Sequence, residues 1–266
     1  MCQNGSGMSL NALNTLILIP TYNNAGTLSK VVGRALRQGF PVLVVDDGST
    51  DETPAVLQTL QADKKNQVWH LSGENKADRH SRLVVVTHPV NLGKGQALKT
   101  GFQEALKRGF HYAVTLDADG QHYPEDIPAM VAAAGENTLV VGSRDKRGSD
   151  GRSSFANRFS NFWFKMYTGI ALPDTQTGFR VYPLDRLPSL KLVSSRYEAE
   201  LTLLVFSAWK GVKLVPVPVR VAYPEDRVSH FRPAADFTRI TILNCILLPV
   251  SLFYGWPRTI FNLLFH

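Results

Sequence analysis

The sequence predicts an α/β fold: a doubly wound, mostly parallel sheet flanked by helices, followed by a C-terminal hydrophobic helical tail. Three observations carry that prediction. Five short runs are apolar and rich in β-branched residues or leucine: Leu16–Pro20, Val42–Asp46, Leu83–Thr87, Tyr112–Leu116 and Thr138–Gly142. Strands with so little polar alternation are buried on both faces, as in a parallel sheet. The segments between them have helical spacing, so strand and helix alternate along the chain. Finally, Ile240–Trp256 holds no charged residue and lies between Arg239 and Arg258.

Taken in order, residues 1–14 lack the basic and apolar regions of a secretory signal and read as a flexible leader. Residues 15–236 form one domain, and 237–266 the tail. The first helix, Thr27–Gln38, puts Leu28, Val31, Val32, Ala35 and Leu36 on one face. After the second strand, Asp46-Asp47-Gly48-Ser49 reads as a turn, with Thr50 capping a helix over Glu52–Leu60. Gln61–Arg82 is a polar surface excursion. Helices over Gly95–Lys107 and Glu125–Ala134 follow, with Glu125 and Asp126 in the first turn of the latter. Lys146–Ser154 is a basic loop. Phe155–Tyr167 is a helix whose aromatic residues fit a core, with an acceptor groove as the alternative for some of them, and Tyr197–Lys210 is a helix stopped by Gly211. Pro216 and Pro218 confine the strand Val212–Val221 to the sheet margin.

Composition narrows the function classes. With 44% hydrophobic residues in 266, a sizeable single core is available. The two cysteines, Cys2 and Cys245, form no disulfide framework and no metal-ligand spacing, which suits a reducing, cytoplasmic compartment. A net charge of +7 favours anionic partners: nucleic acid, an acidic membrane surface or phosphorylated small molecules. The arginines are dispersed and no nucleic-acid motif is present, which sets nucleic acid aside. The uncharged tail is marginal for a spanning helix, which needs about 20 apolar residues. Pro249 and Pro257 interrupt it, while Tyr254 and Trp256 suit the membrane interface. The expectation is a peripheral or monotopic protein at the inner membrane face, its tail lying in the interface or re-entering it. The alternative is a C-terminal helix packed on the domain.

Ligands of parallel α/β sheets sit at the carboxyl ends of the strands. Four ends here are polar in succession: Pro20–Asn24, Asp46–Asp51, Asn91–Gly95 and Asp117–His122. Asp117 and Asp119 are two apart, so on an extended chain they face one point. A hard cation such as Mg2+ or Mn2+ takes such oxygen ligands together with substrate phosphates. An isolated D-x-D equally fits a turn; the neighbouring polar ends favour the site. Asp46 or Asp47 is then left to accept hydrogen bonds from a base or ribose. Gly93-Lys94-Gly95 is not a phosphate loop of the G-x-x-x-x-G-K-[ST] kind, because His88 and Gly95 stand where Gly and Ser or Thr are required. No G-x-G-x-x-G follows the first strand. Nor does the G-x-G-T-R loop of sugar-phosphate nucleotidyltransferases; PTYNN stands there.

In order, PTYNN (Pro20–Asn24), VVDDGSTDET (Val44–Thr53), NLGKGQALKTG (Asn91–Gly101), LDADGQHYPEDIP (Leu116–Pro128), VVGSR (Val140–Arg144), DTQTGFRVYP (Asp174–Pro183) and YEAEL (Tyr197–Leu201) make a set. The set resembles the family 2 glycosyltransferases of the GT-A (Rossmann-like) fold, and among them the dolichol- and polyprenyl-phosphate sugar transferases. The resemblance runs from about Leu16 to Phe237. It implies a nucleotide-sugar donor, GDP- or UDP-linked, and a divalent metal. Pro20, Thr21 and Tyr22 would lie near base and ribose, Asp47 on the same side with Lys94 nearby, and Asp117 and Ala118 against the ribose or metal. Asp119 would be the principal metal ligand and Gln121 a further contact. His122 stays open between a site role and a helix cap.

The second half supplies the acceptor side. Direct displacement at an anomeric carbon inverts its configuration. A hydroxyl acceptor needs a general base, whereas a lipid phosphate is already anionic. Polyprenyl phosphate is the favoured lipid-linked acceptor, with Arg144, Arg152, Arg158 and Arg180 available for phosphates. The alternative is a saccharide or lipid hydroxyl, with Glu198 as base, near where the resemblance implies an acidic residue. Glu200 is expected on another face, because i and i+2 diverge on a helix. The basic stretch carrying Arg227 and Arg232 resembles a loop that closes over the diphosphate, and equally suits contact with acidic lipid.

Overall fold

The computed structural model of the 266-residue chain describes residues 14–63, 69–70, 79–144, 151–188, 198–222, 245 and 247–257. In chain order the elements are β1 (Thr15–Thr21), α1 (Ala25–Leu36), β2 (Val42–Asp46), α2 (Thr53–Ala62), β3 (Trp69–His70), β4 (Arg79–His80), β5 (Leu83–Thr87) and α3 (Lys94–Lys107). Then come β6 (Tyr112–Thr115), α4 (Ile127–Ala132), β7 (Thr138–Arg144), α5 (Gly151–Thr168), β8 (Arg180–Pro183), α6 (Glu198–Trp209) and β9 (Lys213–Val219).

The main sheet has the order β5-β2-β1-β6-β8-β7-β9. All five expected strands are present, and β2, β5 and β6 join β1 in a parallel block. Side-chain alternation then fills both faces. From β1, Leu16 and Leu18 pack with Phe102 of α3 and Leu203 of α6, while Ile17 and Ile19 pack with Leu28 of α1 and Met130 of α4. Each such fully buried side chain stabilises the fold by about 1.5–3 kcal/mol. That two-sided burial is why these runs show no polar alternation. β9 is the edge strand its prolines require; Pro216 and Pro218 are exposed and face Val141 and Ser143 of β7 in the register.

Several elements depart from expectation. The four residues of β8 insert antiparallel between β6 and β7. They begin with a buried arginine and are too short for periodicity to reveal, so the sequence marked them as a motif and not as a strand. The excursion over 61–82 contains the small antiparallel pair β3–β4. α5 starts at Gly151, inside the stretch expected to be a loop. Of its aromatic residues, Phe164 and Tyr167 are core, but Phe159 and Phe162 are exposed. Thr50 does not cap α2: its N–H donates to Asn23, and the α2 N-terminus is served by Asp51 Oδ1, which accepts from Thr53 N at 2.9 Å. Glu125 and Asp126 do lie in a first turn, a 3-10 turn over Pro124–Asp126 leading into α4.

The leader is outside the described residues except for Asn14, and so is most of the tail. The described part of the tail packs on the domain, as the alternative reading expected. Leu247 and Ser251 are buried, and Trp256 Nε1 donates to the Met166 carbonyl at 3.1 Å. No helix among the described residues is long and apolar enough to cross a membrane.

Candidate active site

Because β6, β7 and β9 run in the same direction as β1, their carboxyl ends open onto one edge. There the loops after β1 and β2 are stitched together. Asn23 takes a left-handed conformation (φ 53°), donates its N–H to Ser49 Oγ at 2.9 Å and accepts from Thr50 N at 2.8 Å. Asn24 N donates to Thr53 Oγ1, and its amide donates to the Tyr22 carbonyl at 2.9 Å. Pro20 pairs with Val45 in the register, and the Thr21 carbonyl accepts from Asp47 N. Gly48, at φ 71°, must be glycine, since a Cβ would lie 2.4 Å from the Val90 carbonyl carbon.

Asp47 is buried and occupied. Its Oδ1 accepts from Leu92 N at 3.0 Å and its Oδ2 from Gly93 N at 2.7 Å. The buried His88 lies against it, with Nδ1 2.7 Å from Oδ1 and Nε2 2.9 Å from Thr100 Oγ1. These bonds shape the turn that starts α3 and presents Lys94. The sequence marked Asp47 but not His88, whose signal was only its place five residues before Gly93.

Lys94 enters the centre of the site. Its Nζ lies 2.6 Å from Asp117 Oδ1 and 3.1 Å from Glu200 Oε1. Burial alone would lower the lysine pKa, but the two carboxylates carry it above the ordinary value. Burial likewise opposes charge on Asp117, and the Lys94 ammonium holds its carboxyl below the usual range. Gly178 closes the cluster from behind. A Cβ there would meet Asp117 Oδ2 at 2.6 Å and Glu200 Oε1 at 3.0 Å. The expectation that Glu200 turns away is overturned: Glu200 faces Lys94. Glu198, two residues earlier, is then rotated to another side of α6. Glu198 is half-buried and its carbonyl accepts from Thr202 Oγ1.

Asp119 stands on the same loop, half-buried, with Oδ1 accepting from Gln121 N at 3.0 Å. The Ala118 carbonyl accepts from Thr27 Oγ1 at 2.6 Å, tying this loop to α1. Gln121 and His122 are buried, and the loop is held to the β9 end by the His122–Val221 bridge and by Ala222 N donating to the Gln121 carbonyl. His122 does not cap a helix; its ring packs 5.2 Å from Phe179 and its Nδ1 makes no hydrogen bond. Burial first, then the nearby Arg144 and Lys94, push its pKa down to about 4 despite the opposing Asp117. Among the described residues no three His, Cys, Asp or Glu side chains gather into a metal cage. Asp119, half-buried on the same loop as the Lys94-paired Asp117, carries oxygen donors of the kind a hard cation such as Mg2+ or Mn2+ takes.

Among the described residues, the arginines expected to bind phosphate are placed differently from one another. Arg144 forms a fork with the fully buried Asp174, Nε to Oδ2 at 2.6 Å and Nη2 to Oδ1 at 3.0 Å. Arg180 is fully buried behind the site. Its Nη1 donates to the Glu200 carbonyl at 2.7 Å and to Tyr182 Oη at 3.1 Å, and its Nη2 to the Thr175 carbonyl at 2.9 Å. It therefore braces α6 and the Thr175 loop. Arg158 is exposed on α5. Arg227 and Arg232, and the side chain of Arg152, lie outside the described residues.

Carboxylates, a lysine and interlocked polar loops at the carboxyl edge of a mostly parallel sheet make that edge the candidate active site, and comparison with known proteins gives its class. The description "Glycosyl transferase family 2" matches residues 16–183, more than half of the chain. The chain is 31% identical over 219 residues to the undecaprenyl-phosphate mannosyltransferase of Micrococcus luteus, covering 78% of this chain and 83% of that protein. It is 28% identical, again over 219 residues, to the UDP-N-acetylglucosamine–dolichyl-phosphate N-acetylglucosaminyltransferase of Methanococcus voltae, covering 79% and 86%. The mannosyl-3-phosphoglycerate synthase structure from Rubrobacter xylanophilus superposes with a TM-score of 0.59 at 14% identity, over 90% of this chain and 74% of that one, and so shares the fold. The chain belongs to glycosyl transferase family 2 and is a hexosyltransferase with a GT-A-like fold.

Proposed function

We propose that the protein moves a sugar from a nucleotide-sugar donor to a polyprenyl phosphate, with inversion and with a divalent metal, at the inner face of a membrane. The observation that carries this reading is the Asp117–Lys94–Glu200 cluster beside Asp119, at the edge where the parallel strands end. The two relatives named above differ in sugar but share a polyprenyl-type phosphate in their names, which supports that acceptor class.

Pro20, Thr21 and Tyr22 line the base and ribose side, while Asp47, expected there too, has both oxygens taken and acts behind them by holding the turn before Lys94. Asp117 and Asp119 would hold Mg2+ or Mn2+, which neutralises charge on the departing diphosphate when bound. Gln121 lies on the same loop as a further contact. Lys94 adds a fixed positive charge where the nucleoside diphosphate sits, and its two carboxylate partners hold it in place. An acceptor phosphate oxygen attacks the anomeric carbon opposite the leaving group and needs no deprotonation. Arg144 and Arg158 supply positive charge on the acceptor side, and the basic stretch with Arg227 and Arg232, outside the described residues, is the further source that the sequence offers. A second reading, transfer to a saccharide or lipid hydroxyl, is favoured by the Glu200 carboxylate within the site, and the base would then be Glu200 in place of Glu198.

The test is a transfer assay with GDP- and UDP-sugars, with and without Mn2+, offering polyprenyl phosphate or a hydroxyl acceptor. Metal-dependent formation of a polyprenyl-phosphate sugar is expected. Transfer to the hydroxyl alone would select the second reading, and no turnover with any donor would sink both.

A further inference from the structure

Among the described residues, eight of the eleven exposed large hydrophobic side chains fall on two segments, α5 and 250–256. Scattered exposed apolar residues are ordinary, but a contiguous group marks a docking surface. These segments are contiguous. Trp256 Nε1 donates to the Met166 carbonyl at 3.1 Å, and Trp209 of α6 lies beneath both, donating to the Tyr167 carbonyl at 2.9 Å with its ring 6.0 Å from Tyr254. On the shared surface Phe162 is 57% and Phe253 86% exposed, alongside Phe159, Met166, Leu252 and Trp256. Exposure that high leaves the rings hydrated unless something outside the domain covers them.

The charge pattern says what covers them. α5 carries Arg158 and Lys165, both exposed, and no acidic residue; residues 245 and 247–257 carry no charge. Apolar and aromatic side chains flanked by bases fit an anionic bilayer interface. The same helix also holds the acceptor side of the site. Asn161 donates to the Pro173 carbonyl and accepts from Thr175 N, and Ser160 meets Thr175 at 2.8 Å. That loop carries Asp174, the partner of Arg144, and the carbonyl that holds Arg180. The apolar face therefore begins beside the acceptor-side wall.

The geometry points to one membrane-docking face, built jointly from α5 and residues 250–256, that seats on an anionic phospholipid interface and turns the acceptor side of the site toward the bilayer. The orientation rests on the proposed polyprenyl-phosphate acceptor, whose phosphate lies at headgroup level; the docking does not. Its test uses the full chain with vesicles of phosphatidylcholine alone or mixed with phosphatidylglycerol. Wild-type protein is expected to co-sediment with the mixed vesicles and less with the neutral ones. Phe162→Glu and Phe253→Glu should each weaken that partition about tenfold or more without lowering the melting temperature.

Binding that Phe162→Glu leaves unchanged would overturn the joint face. A vesicle-free dimer abolished by Phe162→Glu would give the face to a second copy instead. Vesicle binding by a chain ending at residue 257, absent from the full chain, would show that residues 258–266 cover it. Transfer in detergent micelles separates the two proposals. Transfer there without vesicle binding sinks the docking face alone, and vesicle binding without transfer sinks the acceptor reading alone.

Discussion

The loops that follow β1 and β2 and the segments around β7 and β8 meet at one edge of one sheet, but they are built differently. The first wall is stitched by short polar side chains bonded to backbone amides: Asn23 with Ser49 and Thr50, and Asp47 with Leu92 and Gly93. The second is braced by long charged side chains sunk behind an antiparallel insertion: Arg180 on Glu200 and Thr175, and Arg144 on Asp174. The bonds of the first wall join residues 26 to 46 apart and end mostly on backbone amides. Those of the second join residues 5 to 30 apart and rest on two guanidinium groups, so that removal of Asp174 leaves Arg144 uncompensated.

Asp119→Asn should affect transfer most, with a loss of about 10^3-fold as the upper end of removing one electrostatic stabiliser. Near-normal activity would detach the D-x-D loop from the chemistry. The two walls part at α6. Glu200→Gln removes one of the two carboxylates that hold Lys94 and should lower kcat about tenfold through its mispositioning, while Glu198→Gln stays within about twofold. The reverse order would mean that α6 presents its other face. On the first wall, His88→Ala should loosen the turn bearing Lys94 and raise the donor KM about tenfold through mispositioning, with a smaller change in kcat. His88→Asn keeps a donor toward Asp47 and should recover most of the loss; equal defects would reduce His88 to a packing residue.

The smallest effect concerns the second wall and acid. Burial opposes charge on Asp174, but the Arg144 fork and the Gln176 N–H hold its carboxyl below the ordinary range. A depressed carboxylate contributes stability that is complete above its unfolded pKa of about 3.9 and is lost as pH falls below it. Thermal melts from pH 7 to pH 3 should show that acid limb. Asp174→Asn should flatten the limb and lower stability at pH 7 by about 1–3 kcal/mol; an unchanged limb would place its origin elsewhere.

The parallel block, the edge position of β9 and the polar strand ends were all legible in the sequence. So were the family motifs and the D-x-D pair. Each rests on a local rule: β-branched runs bury on both faces, prolines leave a ladder bond unmade, and strand ends in a parallel sheet open onto one edge. The tertiary structure alone decided that β8 inserts antiparallel, that Glu200 and not Glu198 meets Lys94, and that Arg180 lies behind the site. It also decided that Phe159 and Phe162 turn outward to join the described tail. Those outcomes depend on how a helix is rotated and which distant element lies against it. Rotation and packing are settled by the whole core, so no stretch of neighbouring residues encodes them.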